Sequence, residues 1–214
     1  MKIYTPSVSL LFGTLFCLIL GVGCAQKPLA TAPKNWIELT KLDASIRLDI
    51  RYATTNNFMK QAVYTCERCF LRDDAATAIA KANKLLQNKG YGGLKMYDCY
   101  RPRPVQWKLW KITPDERYVA NPRKGSMHNR GLAVDLTIVD KNGQELDMGT
   151  GYDDFTEKAH VNYTNLPENV LKNRILLTKT LQEVGFKGTT TEWWHFSLRD
   201  KTYELAEWVW DCPK

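Results

Sequence analysis

Two hydrophobic periods alternate along this chain, and that alternation limits its fold more than any other feature. Ile46, Leu48, Ile50 and Tyr52 recur at every second residue between Arg47, Asp49 and Arg51, the period of a half-buried strand. Leu71 to Lys89 instead places Ala75, Ala78, Ile79, Ala82, Leu85 and Leu86 on one helical stripe, with Asp73 and Asp74 at the electropositive end and Gly90 past the other. Leu94 to Asp98 predicts a short strand that Pro102 and Pro104 bring to a stop. A second helix is expected over Val105 to Lys111, followed by an aperiodic stretch, Thr113 to Ser126, suited to a loop over a site. Ala133 to Val139 alternates again: Val134, Leu136 and Ile138 share one face and Ala133, Asp135 and Thr137 the other, so Asp135 is expected to aim away from the core. Pro167 to Val184 predicts a third helix and Thr189 to Leu198 a final strand. The mixture predicts an α+β fold, a single domain with a largely antiparallel central sheet and helices packed on it.

In 214 residues there is room for one domain with a substantial core. Lys2 precedes an apolar run from Val8 to Val22, with small residues at Gly21, Gly23 and Ala25 around its end, the layout of a secretory signal. The run is shorter than the ~20 residues a membrane span needs. Residues 1–25 are therefore expected to form a signal peptide, 26–40 a linker rich in Ala, Pro and Lys, and 41–214 the folded domain. Cys24 is a candidate for lipidation, with cleavage after Ala25 as the competing outcome. The expected location is outside the cytoplasm, as a periplasmic protein or an outer-membrane-anchored lipoprotein tethered through Cys24. The net charge of +7 is spread over scattered lysines and arginines, so no nucleic-acid partner is expected. Cys66, Cys69, Cys99 and Cys212 remain past the leader, an even number in a compartment where disulfides persist, with three pairings open.

Only three histidines exist, and two lie in suggestive company. His128 stands in Ser126-Met127-His128-Asn129-Arg130-Gly131-Leu132-Ala133-Val134-Asp135, where Gly131 can fold a loop histidine back toward the strand-borne Asp135. His195 ends Glu192-Trp193-Trp194-His195, where Glu192 and His195 can share a site only if a bulge or strand end intervenes. Two imidazoles, one carboxylate and an open position match catalytic rather than structural zinc. Such an ion activates water and polarises a carbonyl, and a second carboxylate must then move protons; Glu192 is the candidate. The helical His-Glu-x-x-His motif is absent.

Four separated segments carry a family resemblance: Asp98-Cys99-Tyr100-Arg101-Pro102; Ser126 through Asp135; Met148-Gly149-Thr150-Gly151-Tyr152-Asp153; and Glu192-Trp193-Trp194-His195. From Ile46 to Asp200 the chain resembles the zinc D-alanyl-D-alanine dipeptidases of the vancomycin-resistance type, within the D-Ala-D-Ala metallopeptidase family. The resemblance implies one Zn2+ per chain held by His128, Asp135 and His195, with Glu192 as general base and acid. It implies that Arg101 stabilises charge on the attacked carbonyl oxygen, and that Ser126 and Asp153 hold the free ammonium of a small D,D-dipeptide. The implied activity is hydrolysis of D-alanyl-D-alanine to two D-alanines. The alternative is a zinc D,D-carboxypeptidase or endopeptidase acting on longer stem peptides. Resistance enzymes of this type act in the cytoplasm, so the leader favours turnover or scavenging of cell-wall dipeptide. Cys99 stands where some relatives have glycine, which suggests a bridge, with Cys69 the expected partner. His160 lies in a matching segment near the site without a metal partner and is expected either to support the site's residues or to be structural.

Overall fold

A computed structural model describes residues 1–2 and 32–212; the rest of the expected signal, Cys24 included, lies outside them. Chain order is β1 (Trp36–Glu38), α1 (Leu39–Leu42), β2 (Arg47–Leu48), β3 (Phe70–Arg72), α2 (Asp73–Asn88), β4 (Gly93–Asp98), α3 (Arg103–Ile112), β5 (Ala133–Val139), α4 (Glu168–Glu183), β6 (Lys187–Gly188) and β7 (His195–Ser197). A five-stranded sheet runs β2-β4-β5-β7-β6, antiparallel except for the β2–β4 pair, and β1 and β3 form a separate antiparallel ribbon. This is the α+β architecture that the two periods predict. Among the described residues no helix is long and apolar enough to cross a membrane.

The apolar stripe of α2 explains its seat: Ala75, Ile79, Ala82 and Leu86 are fully buried. Asn83 on the same helix is buried too. Its Nδ2 donates to Asp43 Oδ2 at 2.8 Å and Ser45 Oγ at 2.9 Å, and its Oδ1 accepts from the Leu94 amide at 2.8 Å, tying helix to sheet. A Cβ at Gly93, where φ is +110°, would lie 2.2 Å from that Oδ1, so only glycine fits there.

Several local expectations need correction. The linker expected through residue 40 ends earlier, because Trp36–Glu38 pairs with β3 and Leu39 is buried. The strand expected from Ile46 to Tyr52 pairs with β4 only at Arg47 and Leu48, then closes into a 3-10 turn at Arg51–Ala53 whose Tyr52 carbonyl accepts from Val63 and Tyr64. Its period is nonetheless real, since Ile46, Ile50 and Tyr52 are buried. The strand expected from Thr189 to Leu198 joins the ladder only at His195–Ser197. Ahead of it the Trp193 amide turns aside to the Ala159 carbonyl, which buries Trp193 and Trp194 in succession. Asp135 does not leave the interior: every residue of β5 is buried, and Asp135, on the face opposite Val134 and Leu136, lines a cavity.

Past β7 the chain has no regular structure through residue 212, yet it returns across the molecule. The Ala206 amide donates to the Asn129 carbonyl, Trp208 stacks on Tyr100, and Trp210 packs on Tyr64 and Phe70. The segment ends in a Cys66–Cys212 disulfide, and a second disulfide joins Cys69 to Cys99 as expected. Because 146 residues separate Cys66 from Cys212, the open chain loses much entropy when they are joined. Replacing both with serine is expected to cost about 2–4 kcal/mol of unfolding free energy in urea titration. An unchanged midpoint would show that aromatic packing alone holds the segment.

Candidate metal and active site

The sheet brings distant motifs together. β4 ends at Asp98, and a register shift between Met96 and Asp98 sets that carboxylate opposite Asp135 on β5. Facing like charges destabilise a ladder. Arg101, three residues on, answers both: its Nε and Nη2 lie 2.8 and 2.7 Å from Asp98 Oδ2, and its Nη2 lies 3.6 Å from Asp135 Oδ2. Nη1 donates to Gln106 Oε1 at 3.1 Å. The guanidinium is thus buried and fixed in orientation before any substrate arrives.

His128 opens a 3-10 turn that closes at Gly131, where φ is +71°. A Cβ on Gly131 would lie 2.4 Å from the Trp36 ring, so the reversal that points His128 back toward β5 requires glycine. His128 Nδ1 lies 2.7 Å from the Cys99 carbonyl, which can only accept, so Nδ1 carries the proton and Nε2 offers a lone pair. That Nε2 lies 3.2 Å from His195 Nδ1 and 3.3 Å from Asp135 Oδ1, while His195 Nδ1 lies 2.9 Å from the same oxygen. A tetrahedral ion with ligand bonds of ~2.0–2.1 Å has edges of about 3.3–3.4 Å. The donor triangle therefore matches a metal of zinc's size, and the bond from His128 to a backbone carbonyl is the outer support that metal-bound histidines use. Among the described residues this is the one group of three or more such side chains with metal-holding spacing.

Charge agrees with geometry. Burial pulls His195 below its ordinary pKa despite the neighbouring Asp135 carboxylate, which keeps the imidazole neutral and able to ligate. The Tyr152 hydroxyl donates to Asp135 Oδ2 at 3.0 Å, leaving Oδ1 for the ion.

These groups open into a cavity of about 620 Å³ that also holds Glu192, Ser126 and Asp153. Glu192 sits in the turn before β7, so the strand end required for it to share a site with His195 is present. Burial, reinforced by Asp135 and Asp153, raises its carboxyl well above the ordinary value, against the pull of Arg101. Asp153 adopts φ +59° and accepts from the Phe58 amide at 3.1 Å and the Tyr52 hydroxyl at 3.4 Å. Burial lifts it to about 7, while the Phe58 amide works against the rise. Ser126 is braced by Asn129, whose Oδ1 accepts from the Ser126 amide and hydroxyl at 2.8 and 3.1 Å. The 113–126 stretch does border this cavity, where Tyr118 stacks on Phe155. His160 stands apart from the metal group: its carbonyl accepts from Arg174 and its Nε2 is buried.

Asp98, Gln106, Asn129 and Tyr152 were not singled out as site residues from the sequence. Asp98 and Tyr152 could have been, since each stands inside a segment that carries the resemblance and has the chemistry to orient a neighbour.

A two-histidine, one-carboxylate group, with His128 and Asp135 buried and His195 half-buried, beside an acid of raised pKa defines the class of metal-assisted hydrolases. The chain belongs to the D-Ala-D-Ala dipeptidase family of M15 peptidases, whose profile matches residues 33–209, and it is a peptidase hydrolase. A D-alanyl-D-alanine dipeptidase of Escherichia coli is 39% identical over 162 residues, spanning 76% of this chain and 83% of that protein. One from Enterococcus faecium is 30% identical, spanning 77% and 92%. Of solved structures, a vancomycin-resistance D,D-pentapeptidase in complex with Zn(II) superposes with a TM-score of 0.39 at 17% identity, over 60% of this chain and 72% of that one.

Proposed function

We propose that this protein hydrolyses D-alanyl-D-alanine to two D-alanines with one zinc ion held by His128, Asp135 and His195. Its place would be cell-wall dipeptide turnover or scavenging outside the cytoplasm, after export by the 1–25 leader or as a lipoprotein tethered through Cys24. The observation that carries the dipeptide reading is Asp153, a carboxylate recessed in the same cavity as the metal group and fixed by Phe58 and Tyr52. Such a group rewards a free ammonium, whereas a longer peptide brings an uncharged amide and leaves it unpaired. Relatives named as dipeptidases over most of this chain support the same reading.

When bound, zinc supplies acidification of a water molecule and polarisation of the scissile carbonyl. The protein does the rest. Glu192 accepts the proton of the attacking water at a carboxylate oxygen and delivers it to the leaving nitrogen as the C–N bond breaks. Arg101 directs N–H groups at the oxygen on which charge develops. Ser126 and Asp153 hold the ammonium, and the buried Trp194 forms part of the apolar wall beside them.

Purified protein, zinc-loaded and chelator-treated, should be assayed on the dipeptide and on a stem pentapeptide. Zinc-dependent cleavage of the dipeptide, with weak cleavage of the pentapeptide, is expected. Preference for the pentapeptide would instead establish the carboxypeptidase or endopeptidase reading.

A further inference from the structure

The face of β7 that carries His195 continues beyond the metal group. Residues two apart on a strand share a face, so Ser197 follows His195 on β7. The strand ends there, with the Leu198 amide still donating to the Leu132 carbonyl at 2.9 Å, and Arg199 opens the turn beyond it; Ser197 and Arg199 both line the cavity. Ser197 is buried, and Arg199 folds back onto it: Nε donates to Ser197 Oγ at 3.2 Å and Nη2 to the Gly188 carbonyl at 3.4 Å.

Three other cations around the cavity are ion-paired, Arg101 with Asp98, Arg117 with Asp115 and Lys201 with Asp74, whereas Arg130 on the opposite motif donates to the Tyr203 carbonyl. Arg199 meets only a hydroxyl and a carbonyl in these contacts, and the adjacent Asp200 carboxylate pairs with Lys187 at 2.9 Å. Its position also suits a short substrate. Two strand residues advance about 6.6–6.8 Å, which sets Ser197 that far from His195. A peptide whose carbonyl lies at the metal group carries its next group at most ~3.3–3.6 Å onward. A charge-assisted bond adds about 2.7–2.9 Å. The two lengths together fill nearly the whole strand advance.

We infer that Arg199, held in place by Ser197, is the receptor for the substrate's C-terminal carboxylate and gauges chain length on the leaving-group side. The inference rests on the dipeptidase reading and deepens it. Asp153 would require the scissile bond to follow the first residue, and Arg199 would require the chain to end after the second. A third residue would replace the carboxylate with a neutral amide and leave the guanidinium unanswered.

The test compares D-alanyl-D-alanine with its C-terminal amide on zinc-loaded wild type, Arg199→Met and Arg199→Lys. Wild type should prefer the free acid. Arg199→Met should lose about 10- to 100-fold in kcat/KM on the acid, mostly through KM, and far less on the amide, with zinc content and urea midpoint equal to wild type as the folding control. Arg199→Lys should keep part of the preference. Persistence of the preference in Arg199→Met would overturn the assignment, as would equal losses on both substrates, which mark a structural role. A wild type that cleaves the amide as well as the acid would overturn it while leaving the dipeptidase reading intact. A wild type that cleaves neither would overturn that reading together with this one.

Discussion

Glu192→Gln should leave the bound metal in place while lowering kcat on D-alanyl-D-alanine by about 10²- to 10⁴-fold. Glutamine keeps the shape of the side chain in the turn ahead of β7 but cannot take a proton, and Glu192 is no member of the metal-holding group. The pH profile supplies an independent reading. Burial, Asp135 and Asp153 favour the protonated carboxyl, so the folded pKa is raised, and a general base works only when ionised. In the wild type kcat at saturating substrate, where the bound ammonium already holds Asp153 ionised, should therefore climb with pH through a limb lying above the ordinary glutamate value of about 4.3. The residual activity of the variant should lack that limb. Metal analysis with stopped-time assays across pH checks both points. Undiminished turnover would refute the role of Glu192, and a protein that had lost its metal would make it a ligand instead.

How much of this site could be read in the sequence depends on the range over which each residue acts. His128, Asp135, His195 and Glu192 sit in short segments whose chemistry is unusual in itself, and the structure brings all four to one cavity. Helices α2 and α4 were legible for a related reason: their stripes and terminators are local, and Gly90 and Gly185 follow them with φ of +89° and +91°. Properties created by pairing were not legible. Asp135 looked solvent-facing because alternation reports two faces without saying what covers the second, and here that cover is the cavity wall, including Trp194 and Tyr152. Asp98 became its neighbour through a register shift between two strands, a feature with no signature in either strand alone. The segment after β7 lacks any period, yet Trp208 and Trp210 bury against Trp36, Tyr64, Phe70 and Tyr100. Its order comes from ring contacts and a disulfide made across the whole chain.

Arg101→Ala should lower kcat by about 10²- to 10³-fold with a small change in KM, the loss typical of one preorganised donor to a developing oxyanion. The structure warns that alanine does more than remove that donor. Asp98 would remain fully buried opposite Asp135 with its counter-charge gone, and burial already raises its carboxyl. Removing one partner of a buried ion pair costs about 3–5 kcal/mol, so the alanine variant should also unfold at lower urea. Arg101→Lys separates the two effects. An ammonium restores positive charge between the carboxylates, and most of the stability should return. Yet a single point charge cannot bond Asp98 and Gln106 and also present a fixed N–H to the carbonyl oxygen, as the planar fork does. The lysine variant should thus fold and hold metal while keeping most of the kcat defect. Full recovery of kcat by lysine would reduce Arg101 to a structural counter-ion, and a defect confined to KM would move it from the transition state to substrate binding.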